Sequence, residues 1–256
     1  MRKRSITYIG LLALAAVAAC APLRAQGSDQ GKAPNYTYIA EWAVPRAQWP
    51  DMVKVDDQER PLMEKLVADG TILDYGTFAS LIHQEGEPTH GSWFTAASEG
   101  KLMKALEAIY ALGLTTSPVE AASKHWDFIL ESRNHNGRSG HYDGAYLSGS
   151  QWQVKPGQGH AFEELLNTRL VPVLEKLVAD GSVVSYSVST EDYHTQKPGM
   201  VSLVFTTADA AGLDKVDDAM EAALGKDEAL GPAIRAVTDS EAHRDFLLRV
   251  THMSIK

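Results

Sequence analysis

Glu41, Asp74, Glu131, Arg133 and Arg249 each fall in a segment that alternates apolar and polar residues, the pattern of a half-buried strand. Successive side chains on a strand point to opposite faces, so alternate residues share one. One face of the segment after Gly70 carries Ile72, Asp74, Gly76 and Phe78, and a later counterpart carries Val183, Ser185, Ser187 and Ser189. If Phe128 and Leu130 lie beneath helices, Ile129, Glu131 and Arg133 turn to the other side, answered by Leu247, Arg249 and Thr251. The first strand of each half adds Ile39 and Glu41, then Gln151 and Gln153. In a confined, partly polar space, Asp74 or Glu131 is the candidate base and Arg133 or Arg249 the candidate oxyanion stabiliser. Glu41, Phe78, Ser185 and Ser187 complete the expected ligand surface. The same charges could instead form a salt-bridged seam between two halves.

Other chemistry has less support. Nine histidines are present, but no pair has the one-turn H-x-x-x-H spacing of a helical metal site. His83 and His194, His125 and His243, and His135 and His252 sit at matching or near-matching places. One cysteine, Cys20, excludes an internal disulfide framework and a Cys-rich zinc site. There is neither a phosphate-binding Gly-rich loop ending in lysine nor a G-x-S-x-G elbow. The five tryptophans read as core or rim aromatics.

The elements that must position these residues come in two sets. PLMEKLVADGTILDY (61–75) and PVLEKLVADGSVVSY (172–186) share nine of fifteen residues at an offset of 111. Phe94-Thr95 matches Phe205-Thr206 at the same offset, HWDFIL (125–130) matches HRDFLL (243–248) at 118, and Trp42 matches Trp152 at 110. Such periodicity marks a tandem duplication. Within each copy, a strand is followed by a helix closed by Gly70 or Gly181, then two strands, a second helix and a closing strand. Pro61 and Pro172 fall inside the first helix of each copy and predict a kink there. The order β-α-β-β-α-β is the ferredoxin-like unit, which covers one sheet face with helices and leaves the other bare. The reading is two such repeats, 36–135 and 145–256, joined by a Gly-rich linker (136–144) and packed sheet to sheet as a pseudo-dimer.

This two-copy order, with W-x-V-K-P-G opening the second repeat and L-V-A-D-G before a strand in both, resembles the dimeric α+β barrel superfamily in tandem form. The resemblance implies a ligand cavity between the sheets, and relatives that include cofactor-independent monooxygenases, isomerases and haem-handling proteins. The last use a proximal histidine on a helix, for which His160 is the positional counterpart. No cofactor is expected; haem or a metal is the lesser alternative.

The first 25 residues read as an export signal: Arg2, Lys3 and Arg4 precede an apolar run from Ile6 to Ala19, too short to span a bilayer. Cys20 after Val17-Ala18-Ala19 resembles a bacterial lipoprotein signal, with lipidation at Cys20; cleavage after Ala25 is the alternative. Residues 26–35 form a polar tether. The 24 basic and 33 acidic residues give a net charge of −9, and loss of the three N-terminal basic residues makes it −12. Such a body repels phosphate backbones and excludes nucleic acid as a partner. The sequence therefore predicts a periplasmic, membrane-anchored monomer with an internal pseudo-dimer that binds or senses a small molecule. A cofactor-independent monooxygenase or isomerase is the alternative.

Overall fold

The structure, a computed structural model, describes residues 32–193, 195 and 198–256. Cys20, the export signal, most of the tether and His194 lie outside the described residues.

Two successive sets of elements follow the same order. The first is β1 (Asn35–Ala43), α1 (Trp49–Asp69), β2 (Asp74–Ser80), β3 (His90–Ala96), α2 (Glu99–Tyr110), α3 (Pro118–Ala121) and β4 (Lys124–Gly137). After a short β5 (Gly140–His141) come β6 (Tyr146–Val154), α4 (Gly159–Leu165), α5 (Val171–Asp180), β7 (Ser185–Glu191), β8 (Met200–Thr207), α6 (Ala210–Leu224), α7 (Leu230–Val237) and β9 (Thr238–Ile255).

Matching local chemistry shapes both sets. α1 and α5 end at Gly70 and Gly181, whose φ values of 76° and 85° are open to glycine without steric cost. Asp69 and Asp180 then accept the backbone N–H of Thr71 and Ser182. Ser98 and Asp209 cap α2 and α6. The prolines behave differently. α1 runs through Pro61 without interruption, whereas a π turn, Leu166–Leu170, precedes Pro172. Proline lacks an N–H and crowds the preceding turn; a wider turn accommodates both effects.

The strands order as β2-β3-β1-β4-β7-β8-β6-β9, and β9 pairs again with β2. All pairings are antiparallel, and the result is a closed eight-stranded barrel with β5 on the edge of β9. The two four-stranded sheets therefore meet at their edges, β4 on β7 and β9 on β2, rather than only face to face. Closure explains why β4 and β9 are longer than the expected 127–133 and 245–251. Each must pair inside its own sheet and across the seam.

Helices cover the outside. Met52, Val55, Met63, Leu66 and Leu102 pack on Tyr38, Trp42, Tyr75 and Phe94. Phe162, Leu166, Leu174, Leu177 and Val216 pack on Tyr186, Val188 and Leu203. A third cluster, including Phe78, Leu147, Leu248, Val250 and Met253, lies inside the barrel.

Polar networks bind the seams. At β2–β9, Glu64 accepts from Tyr75 Oη (3.2 Å) and pairs with Arg60, which reaches Asp143 (3.2 Å) and His252 Nδ1 (2.8 Å). At β4–β7, Glu175 accepts from Tyr186 Oη and Asn136 Nδ2, both at 2.6 Å. His125 and His243 stack on Trp42 and Trp152 and pair with Asp127 and Asp245.

Candidate functional site

The barrel encloses a cavity of about 1310 Å³. An eight-stranded barrel has room to hold one small ligand. Cross-strand register decides which side chains enter it. Glu41 lies opposite Trp126 and Gly91, Ile39 opposite Phe128 and Trp93, and Thr37 opposite Leu130 and Thr95. Directly opposed residues share a face. Since Glu41 and Ile39 line the cavity, so do Trp126, Phe128 and Leu130.

Asp74, Glu41, Phe78, Ser185 and Ser187 are brought together around the cavity, as their alternation suggested. Glu131, Arg133 and Arg249 are not. Ile129, one residue from Phe128, packs into the helix-covered core, so Glu131 and Arg133 share that outer side. There Arg133 Nη2 lies 2.6 Å from Glu131 Oε1. Arg249 lies over the Tyr146 ring, 4.3 Å from its centroid, rather than in the cavity. The expectation placed the apolar Phe128 and Leu130 under helices, but the barrel interior is itself apolar enough to take them. Ile72 and Val183 are likewise corrected: both are buried under helices, while Leu73 lines the cavity and Val184 joins the interior cluster. These residues precede β2 and β7, where strand alternation has not begun.

Asp74 is the most constrained acid. Its Oδ1 accepts from Trp93 Nε1 (3.1 Å), and Thr95 also hydrogen-bonds to it. Burial pushes its carboxyl up to about 6, partly countered by those two bonds. Glu41 is pushed up to about 7 by burial and then by the charge of Glu87 on the β2–β3 loop. Asp74 pairs with Thr95 and Glu41 with Gly91, four residues along β3, so the acids sit about 13 Å apart along the barrel. They are therefore two separate sites of proton chemistry, not a dyad. Glu191, which the alternation did not single out, also lines the cavity, and its buried Oε2 has no hydrogen-bond partner among the described residues. Trp93, Trp126, Phe246, Ser202 and Arg244 were missed too. One signal was available for Trp93: its indole occupies the space a side chain at Gly76 would take.

Among the described histidines, none presents a free ring nitrogen to the cavity as a haem ligand. His160 is exposed near the start of α4 and does not line the cavity. His135 and His243 do line it, but both ring nitrogens of each are engaged: His135 with Asn35 and the Ala33 carbonyl, His243 with the Gln151 carbonyl and Asp245. Among the described residues, no group of three or more His, Cys, Asp or Glu is arranged to hold a metal ion. No described helix is long and apolar enough to cross a membrane.

Neither a protein-family model nor a curated protein matches the chain. Solved structures do. A candidate monooxygenase from Lactobacillus acidophilus superposes with a TM-score of 0.64 at 10% identity, covering 88% of this chain and 97% of the other. One from Fusobacterium nucleatum gives 0.66 at 9% identity, with 88% and 95% covered. An anthrone oxidase-like protein gives 0.54 at 13% identity, with 88% and 94% covered. The likeness is one of fold.

Proposed function

We propose that this protein binds a small, largely apolar organic molecule inside the barrel. The observation that carries the reading is the barrel cavity of about 1310 Å³, where Trp93, Trp126, Phe78, Phe128 and Phe246 share the lining with hydroxyl side chains and the acids Glu41, Asp74 and Glu191. We read the two matching sets of elements as tandem ferredoxin-like repeats, each supplying half of the container. The export reading of residues 1–25 and lipidation at Cys20 place that container on the periplasmic side of a membrane. The test uses the neutral probe N-phenyl-1-naphthylamine. Its fluorescence should rise on mixing with the protein, and Ser187→Trp, which narrows the cavity from β7, should weaken probe binding severalfold without lowering the melting temperature. Equal fluorescence with both proteins would refute interior binding.

A second reading is favoured by Asp74 and by the candidate monooxygenases among the structural neighbours. A carboxylate held by an indole N–H, with its pKa raised to about 6, is suited to taking a proton from a carbon acid near neutral pH. An isomerase would return that proton to another carbon. A cofactor-independent monooxygenase would convert a methylene and dioxygen to a carbonyl and water. Consumption of dioxygen with an activated-methylene substrate, lost in Asp74→Asn while probe binding persists, would establish this reading.

A further inference from the structure

The interior is divided lengthwise. In a ring of eight strands, β7 and β8 stand four places from β2 and β3 in either direction, so the two pairs face one another across the cavity. At positions related by the offset of 111 their inward residues differ in kind. Gly76, Phe78 and Gly91 on one wall answer Ser187, Ser189 and Ser202 on the other. The glycines are not gaps: the Trp93 ring covers Gly76 and the Phe78 ring covers Gly91. Aromatic surface therefore forms the middle of one wall, with Asp74 and Thr95 at one end and Ser80 at the other. Serine hydroxyls form the facing wall, interrupted by Val204 opposite Ser187.

Those hydroxyls are not used by the protein. Among the described residues, Ser187, Ser189 and Ser202 make no side-chain hydrogen bond, although Ser189 is only 5% exposed. Ser189 and Ser202 lie directly opposite each other, and Ser187 sits two residues along β7, about 6.6 Å away. Facing the cavity, these hydroxyls are left to solvent or to the polar groups of a bound molecule. At the end of this wall Gln151 pairs with both Ser202 and Arg244. Arg244 is exposed at the mouth and has no carboxylate partner among the described residues.

Building on the binding reading, we infer that the ligand is a rigid, facially divided molecule. Hydrocarbon on one face lies against Trp93 and Phe78, hydroxyl or carbonyl groups on the other meet Ser187, Ser189 and Ser202, and an acidic tail reaches Arg244. A fused-ring skeleton with its oxygens on one side has this shape. A linear acyl chain or a flat aromatic ring does not.

The test compares cholate, with hydroxyls on one face and methyl groups on the other, against hydroxyl-free cholanate, which keeps the same skeleton and tail. Calorimetric titration below the micelle concentrations should give at least tenfold tighter binding of cholate. In the triple variant Ser187→Ala, Ser189→Ala, Ser202→Ala, the preference should fall to about twofold, while thermal unfolding followed by circular dichroism keeps the wild-type midpoint and cooperativity. An unchanged unfolding transition in the variant shows that the barrel is intact. Binding of the neutral probe by the wild-type protein without preference for cholate would overturn the facial assignment alone, as would an undiminished preference in the triple variant. Failure of all three molecules to bind would overturn the binding reading and this inference with it.

Discussion

Replacing Asp74 with asparagine tests the electrostatics of the cavity directly. The rise from an ordinary aspartate at 3.8 to about 6 corresponds to about 3 kcal/mol of stability lost when the carboxyl ionises in the folded protein. The carboxyl meets cavity solvent, so this is an upper bound. Because the folded-state value is raised, the folded protein holds this proton more tightly than the unfolded chain between about pH 4 and 6. Stability from this group is then fully present below pH 4 and falls as pH rises through 6. Asparagine cannot ionise, yet its Oδ1 can still accept the Trp93 hydrogen bond. Urea unfolding at pH 4, 5, 6 and 7.5 would measure both proteins. The stability of Asp74→Asn relative to wild type should climb by up to about 3 kcal/mol between pH 4 and 7.5, with most of the change below pH 6.5. Other buried acids, including Glu41 and Glu59, change the wild-type curve but cancel in the difference. A difference that stays level across this range would show that Asp74 ionises normally, and would remove it as a base poised near neutrality.

Arg133→Met and Arg249→Met should each cost no more than about 1 kcal/mol in thermal unfolding, because the Arg133 guanidinium is itself mostly exposed where it pairs with the half-buried Glu131, and Arg249 lies on a tyrosine face. Neither should change probe affinity; a tenfold loss would return these residues to the cavity. Residues 26–140 expressed alone would expose the edges of β2 and β4 that the second half covers, and should dimerise or aggregate in sedimentation. A stable monomeric half would count against mutual closure. Cys20→Ser should move the protein from the membrane to the soluble fraction, and absence of labelled fatty acid from wild type would refute lipidation.

Much of this architecture could be read from local pattern. The element order, the glycine stops at 70 and 181 and the inward face of β1, β2 and β7 follow from periodicity and cap chemistry, which depend on neighbours a few residues away. Asp74, Glu41, Ser185 and Ser187 were therefore found. The faces of β4 and β9 were not. An isolated strand with apolar residues on both sides, such as Ile129 beside Phe128 and Leu130, has no internal marker of which side meets helices. That choice is made by register against β1 and β6, where a shift of one residue exchanges the faces. Register in turn depends on closing the barrel through β4–β7 and β2–β9, contacts between residues at least 48 apart. Tertiary closure thus moved Glu131, Arg133 and Arg249 outward, brought Trp126, Phe128 and Arg244 to the cavity, and set the serine wall opposite the aromatic one.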